Sequence, residues 1–229
     1  HRCRSYHLYD TVGNKLAVFV TGNMKISNAV IFDLPVRDTC PGMTELCDAV
    51  CYAAVEHLYP HIGINRRLNY AFARDQRFAA GVRFAIRAII DHVAGLPTGE
   101  PIDKVRLHTA GDFFSGDYFR AWVDDIIPAL PDLRFWAYTK SSEVLDGYTG
   151  PLPANLRLRY SVDPTTEITP KNGDIGHAYL MPAGEEEGLT KRQAADLGWL
   201  YCPAIGSSVR CGDCNLCYAS SHNIIFKEH

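Results

Sequence analysis

Seven of the eight cysteines in this 229-residue chain fall into two compact groups near opposite ends, so any fold must gather two sets of thiols. Cys40, Cys47 and Cys51 are spaced C-x6-C-x3-C and are followed at once by Tyr52. Cys202, Cys211, Cys214 and Cys217 are spaced C-x8-C-x2-C-x2-C. Cys211, Cys214 and Cys217 are too close together to pair usefully with one another. They present three sulfurs toward one point, as metal and cluster ligands must. Secreted scaffolds scatter their cysteines to staple loops, usually in smaller chains, so metal ligation is expected here rather than disulfides. Four thiolates close a coordination shell, whereas three leave a position open for chemistry. Cys3, alone near the terminus, is expected as a free thiol.

The chain is long enough to bury a core without staples, and its 47% hydrophobic and 21% charged residues are those of a globular protein. A net charge of -3 announces neither a nucleic-acid nor a membrane partner. No apolar run reaches spanning length and no charged-then-apolar leader opens the chain, which points to a cytoplasmic protein.

Strands rich in β-branched and aromatic residues are expected at 15–20, 29–34, 105–109, 133–139, 156–162, 176–180 and 223–226. Thr44 is placed to cap a short helix carrying Cys47 and Cys51 on one face. A long helix is expected from Asn65 to Val93, stopped by Gly95 and Pro97, with others over 115–130 and 190–197. Alternation of strands and helices predicts an α/β fold of mostly parallel strands. The count suits a partial six-stranded (β/α) barrel rather than a closed eight-fold one. Residues 1–200 form this domain, and 201–229 form a Cys-rich extension packed on it.

Active sites of parallel α/β folds lie beyond the C-terminal strand ends. Asp33 with the first cysteine loop, His108 to Asp112, Thr139 to Ser142, and Ser161 to Asp163 should converge there. The Asp112 carboxylate is suited to holding a ligand ammonium group through charge-assisted hydrogen bonds. The compact C-x2-C-x2-C run favours a [4Fe–4S] cluster in the tail, with zinc as the alternative. The arginines of the long helix, from Arg66 to Arg87, are expected on its solvated face. Glu185, Glu186 and Glu187 suggest an exposed loop.

Thr39-Cys40-Pro41-Gly42, Cys51-Tyr52-Ala53, His108-Thr109-Ala110-Gly111-Asp112-Phe113, Phe135-Trp136-Ala137-Tyr138-Thr139, Ser161-Val162-Asp163 and Cys211-Gly212-Asp213-Cys214 occur in that order. This series resembles the phage-associated gene product eighty-eight family from about Gly22 to His229. The chain is more loosely similar to radical S-adenosylmethionine enzymes, which carry a three-cysteine loop after the first barrel strand. Their usual signature is C-x3-C-x2-C, and here Ala54 stands where the third cysteine would be. The looser resemblance implies a [4Fe–4S] cluster on Cys40, Cys47 and Cys51, and the tail spacing adds an expected auxiliary cluster on Cys202, Cys211, Cys214 and Cys217. The same resemblance places Tyr52 beside the first cluster, Gly111 and Asp112 near the methionine ammonium, and Thr139, Ser161 and Asp163 along the S-adenosylmethionine site, with His108 a further candidate contact from its strand-end position.

The expected function is an iron–sulfur enzyme of radical S-adenosylmethionine type, supplied by an electron donor. The phage resemblance implies the host cytoplasm as its location and a nucleic-acid base or nucleotide as substrate. The alternative is a non-catalytic zinc or iron–sulfur module acting with a nucleic-acid or protein partner.

Overall fold

Alternation along the central strands separates an apolar sheet face from a charged one. In Lys104-Val105-Arg106-Leu107 and Leu156-Arg157-Leu158-Arg159-Tyr160, the apolar residues point one way and the cations the other. The computed structural model describes residues 3–23, 25–56, 58–97, 100–166, 175–182, 194, 196, 198–204 and 207–227. Its strands are β1 (Arg4–Tyr9), β2 (Lys15–Thr21), β3 (Ala29–Phe32), β4 (Lys104–Leu107), β5 (Arg134–Thr139), β6 (Leu156–Val162), β7 (Gly176–Met181), β8 (Trp199–Tyr201) and β9 (Asn223–Lys227). They form one open sheet in the order β1-β2-β3-β4-β5-β6-β7-β9-β8. β1 and β2 are antiparallel additions, and every pairing from β3 onward is parallel. The expected α/β class with a mostly parallel sheet is therefore found.

The helices are α1 (Glu45–Ala49), α2 (Pro60–Phe72), α3 (Phe78–Ala94), α4 (Gly116–Arg120), α5 (Ser142–Asp146), α6 (Cys211–Cys214) and α7 (Leu216–Ala219). α4 runs on into a π-helical stretch over Ala121–Ile126. Phe72, Phe78, Val82, Ile86, Phe119, Trp122 and Leu145 from α2 to α5 pack on Phe19, Phe32, Val105, Leu107, Phe135 and Leu158 in a single core. The opposite face is met by the C-terminal segment, where Tyr218 of α7 packs with Ala29 and Trp136.

The structure corrects several expectations. The long helix is two helices, broken where Asp75 accepts the backbone amide of Arg77 at 2.8 Å and turns the chain. Cys51 lies past the end of α1, which closes at Val50, so Cys47 and Cys51 do not share a helix face. Arg66 is buried rather than solvated and donates to Ala53 O at 2.8 Å and to Glu56 at 3.2 Å. β1 was not anticipated, because its side chains are largely exposed and carry little apolar signal. The expected helix at 190–197 and the acidic run at 185–187 fall mostly or wholly outside the described residues.

Candidate metal centre

The chain leaves β3 through Asp33 and enters the first cysteine loop at the C-terminal end of the parallel sheet. Asp33 fixes the neighbouring turn by accepting from Thr109 N at 2.7 Å and Ala110 N at 3.2 Å. Thr44 caps α1, accepting from Cys47 N at 3.2 Å. The same Thr44 hydroxyl donates to Asp163 Oδ2 at 2.6 Å, and Lys140 Nζ donates to that oxygen at 2.6 Å. A buried Lys140–Asp163 ion pair thus ties the ends of β5 and β6 to the cysteine helix. Burial pushes the Asp163 carboxyl up, but hydrogen bonds from Lys140, Thr44 and Thr165 outweigh it and bring it to about 2.

Cys40 and Cys47 lie within electrostatic reach of one another, of Cys51 and of Asp112. Burial, then the Asp112 carboxylate, pushes the Cys40 thiol up to about 12. Burial also raises Cys47, opposed by nearby Lys140. Such thiols are poor nucleophiles at neutral pH. A metal would instead hold them as thiolates and release protons on binding. Beside this loop opens a cleft of about 940 Å³, walled by Gly42, Met43, Thr44, Lys140, Ser142 and Thr165 among others.

The other expected contacts are placed as follows. The Tyr52 ring is exposed, but its hydroxyl reaches inward to donate to Thr109 O. Gly111 has φ +79° and packs so tightly on Leu34 and Thr39 that a Cβ would come within 2.6 Å of each. Asp112 is buried, which raises its carboxyl to about 6, and accepts from Phe113 N at 2.6 Å and Lys140 N at 2.8 Å. The side chains of Thr139 and Ser141 also hydrogen-bond to this carboxylate. Thr139 is buried and accepts from Ser141 N at 3.0 Å. The Ser161 carbonyl accepts from Lys140 Nζ at 3.2 Å. His108 turns away from the loop into the helix-side core, with Nε2 2.8 Å from the Tyr118 hydroxyl and its ring against Phe113. Burial, then Arg106, lowers its imidazole to about 3, so it is neutral.

The second group sits over the charged sheet face. Cys211 N donates to Lys25 O at 2.9 Å, and Cys202 N to Ile225 O at 2.9 Å. Asn215, with φ +60°, turns the chain between α6 and α7. Arg159 of β6 gathers the far end by donating to the carbonyls of Cys217, Ser220 at 2.7 Å and His222 at 3.2 Å. Cys202, Cys211 and Cys217 each lie within electrostatic reach of Cys214, and Cys217 of both Arg106 and Arg159. Burial, then Cys217, pushes the Cys211 thiol up to about 12. All eight cysteines, including exposed Cys3, are free thiols.

Among the described residues, no three His, Cys, Asp or Glu side chains close on a point that one ion could occupy. The donor set nonetheless fits an anionic thiolate centre. Around the four cysteines, Arg106 Nε and Nη1 and the Ser27 hydroxyl are buried without partners. Tyr138 stands against the Cys217 thiol, and Ser27 packs directly on Gly212, between Cys211 and Cys214. Buried donors left unmade are costly, and thiolate sulfurs would satisfy them. Sequence reasoning missed Arg106, Arg159 and the Lys140–Asp163 pair. The charged alternation of β4 and β6 was the available signal for the first two.

These features define an α/β protein whose open, mostly parallel sheet carries three thiols at its strand ends and four across its charged face. The sequence profile described as Gene product 88 matches residues 10–220, and the chain belongs to that family. It is 26% identical to the Gene 88 protein of Mycobacterium phage L5, over 94% of this chain and 93% of that protein. It is 30% identical to the Gene 88 protein of Mycobacterium phage D29, over 67% of this chain and 65% of that protein. No solved structure matches it. Among the described residues, no helix is long and apolar enough to cross a membrane.

Proposed function

We propose that the protein is an iron–sulfur enzyme of radical S-adenosylmethionine type. One observation carries the reading: the loop leaving β3 brings Cys40 and Cys47 into reach of Asp112, and Cys47 into reach of the Lys140–Asp163 pair, beside the cleft. In this reading Cys40, Cys47 and Cys51 hold a [4Fe–4S] cluster, and the tail cysteines hold a second. A parallel sheet wound in chain order from β3 to β7 suits the partial-barrel form of such enzymes. Held by Cys40, Cys47 and Cys51, such a cluster would supply the electron for reductive cleavage of a carbon–sulfur bond in S-adenosylmethionine. Asp112 would receive the ammonium group of that ligand through charge-assisted hydrogen bonds. The substrate class proposed is a nucleotide or nucleic-acid base, taken into the cleft beside the cysteine loop.

A second reading, a non-catalytic metal–thiolate module, is favoured for the tail by the three Arg159 hydrogen bonds that pin it in place. Anaerobic purification followed by iron, sulfide and zinc analysis separates the two. Two clusters' worth of iron and sulfide are expected, with Cys40→Ala losing one cluster and keeping the other. A colourless protein holding zinc alone would overturn the iron–sulfur enzyme, and a Cys40→Ala variant that keeps both clusters would overturn the grouping.

A further inference from the structure

Resting on that reading of the four tail cysteines, the geometry points to Arg106 as the built-in counter-charge and hydrogen-bond donor of the metal–thiolate centre there. Arg106 projects from β4 onto the charged sheet face and is 6% exposed. Its guanidinium lies 4.2 Å above the Tyr138 ring and 5.8 Å from the Trp136 ring. Nη2 donates to His108 O at 3.2 Å, while Nε and Nη1 have no partner. Among the described residues, no carboxylate pairs with Arg106 or with buried Arg159.

Among the described residues Arg159 has carbonyl acceptors alone and Arg106 has two donors unmade, so beside four protonated thiols neither cation meets a counter-charge, which folding disfavours. Coordination removes the conflict. Four thiolates around Zn²⁺ carry a charge of about -2, and so do four thiolates around an oxidised [4Fe–4S] core. Either one balances Arg106 and Arg159. Arg106 lies within electrostatic reach of Cys211 and Cys217, whose thiolates would attract its two orphan donors. Arg106 is thus a positioning residue that acts through the ligands. It makes the site selective for an anionic metal–thiolate assembly over the empty thiol set.

The test uses the full chain with Cys40, Cys47 and Cys51 replaced by alanine, so that only the tail loads. It is loaded separately with iron plus sulfide and with zinc, then challenged with a chelator. Arg106→Met is expected to release metal roughly 10- to 100-fold faster, the usual cost of removing a group that supports metal ligands. Arg106→Lys, which keeps the charge, is expected to recover much of that loss. Melting temperature supplies a readout that a packing role would not move: Arg106→Met should lower it in the loaded chain and raise it in the metal-free chain. A fall in both states, or unchanged release, overturns the inference. A chain that takes zinc but refuses iron and sulfide overturns the iron–sulfur reading alone, and zinc release then decides the role of Arg106. A chain that takes neither metal overturns both.

Discussion

Lys140→Met is expected to destabilise the protein by about 3–5 kcal/mol, read as a shift in denaturant midpoint, because it strips the counter-ion from a buried carboxylate. Asp163 has a fully buried side chain and Lys140 is 8% exposed, so water cannot replace the lost ammonium. Thr44 and Thr165 would remain as donors, at 2.6 and 2.7 Å, but neither brings charge. Asp163→Asn added to Lys140→Met should recover more than half of the loss, since it removes the stranded charge while keeping a polar group for the two threonines. A loss below about 1 kcal/mol for Lys140→Met would show a pair no stronger than a surface one.

The same pair sets an acid limb. The folded pKa of Asp163, at about 2, lies below its unfolded value near 3.9. Its stabilisation is therefore complete above about pH 4 and is lost as the pH falls toward 2. Lys140→Met should shift acid unfolding to higher pH, while Lys15→Met, on β2 and remote from the pair, should leave that limb in place.

The strands were legible because parallel βα units declare themselves locally: Val and Ile runs, then caps such as Thr44 and Ser115, then stops such as Gly95. What escaped was set by polar side chains acting at a distance. Asp75 breaks an otherwise continuous amphipathic pattern with one hydrogen bond, and no apolar spacing reports that. The Thr44–Asp163–Lys140 junction joins three segments far apart in sequence, so no motif spacing contains it. Arg106 and Arg159 were more accessible. Central parallel strands are usually apolar on both faces, and cations at every second position of β4 and β6 announced a polar face in need of an anion. His108 shows the limit of strand-end reasoning. It stands at the expected place, yet its φ of +58° turns the ring into the core.

Gly42→Ala is the second large effect, and it tests whether the first cysteine loop works only when seated on β5. A Cβ at Gly42 would fall 1.8 Å from Lys140 O and 2.4 Å from Lys140 C. That backbone has no room to withdraw, since Lys140 N is held by Asp112 at 2.8 Å and Lys140 Nζ by Asp163. The loop from Cys40 to Cys47 must lift instead, at a cost of about 3 kcal/mol or more. Gly95→Ala is the control: its Cβ would meet nothing closer than 3.6 Å and its φ is -78°, so its effect should stay within about 0.5 kcal/mol. Gly212→Ala is the counterpart at the other group, where the Cβ would strike Ser27 Oγ at 2.2 Å. Metal analysis should then divide the variants, with Gly42→Ala losing the metal of the first group and Gly212→Ala that of the second. If Gly42→Ala keeps its full metal content despite the backbone clash, the three thiols assemble without the strand ends. The link from the cysteine loop to Asp112, Lys140 and Asp163 would then lose its functional meaning.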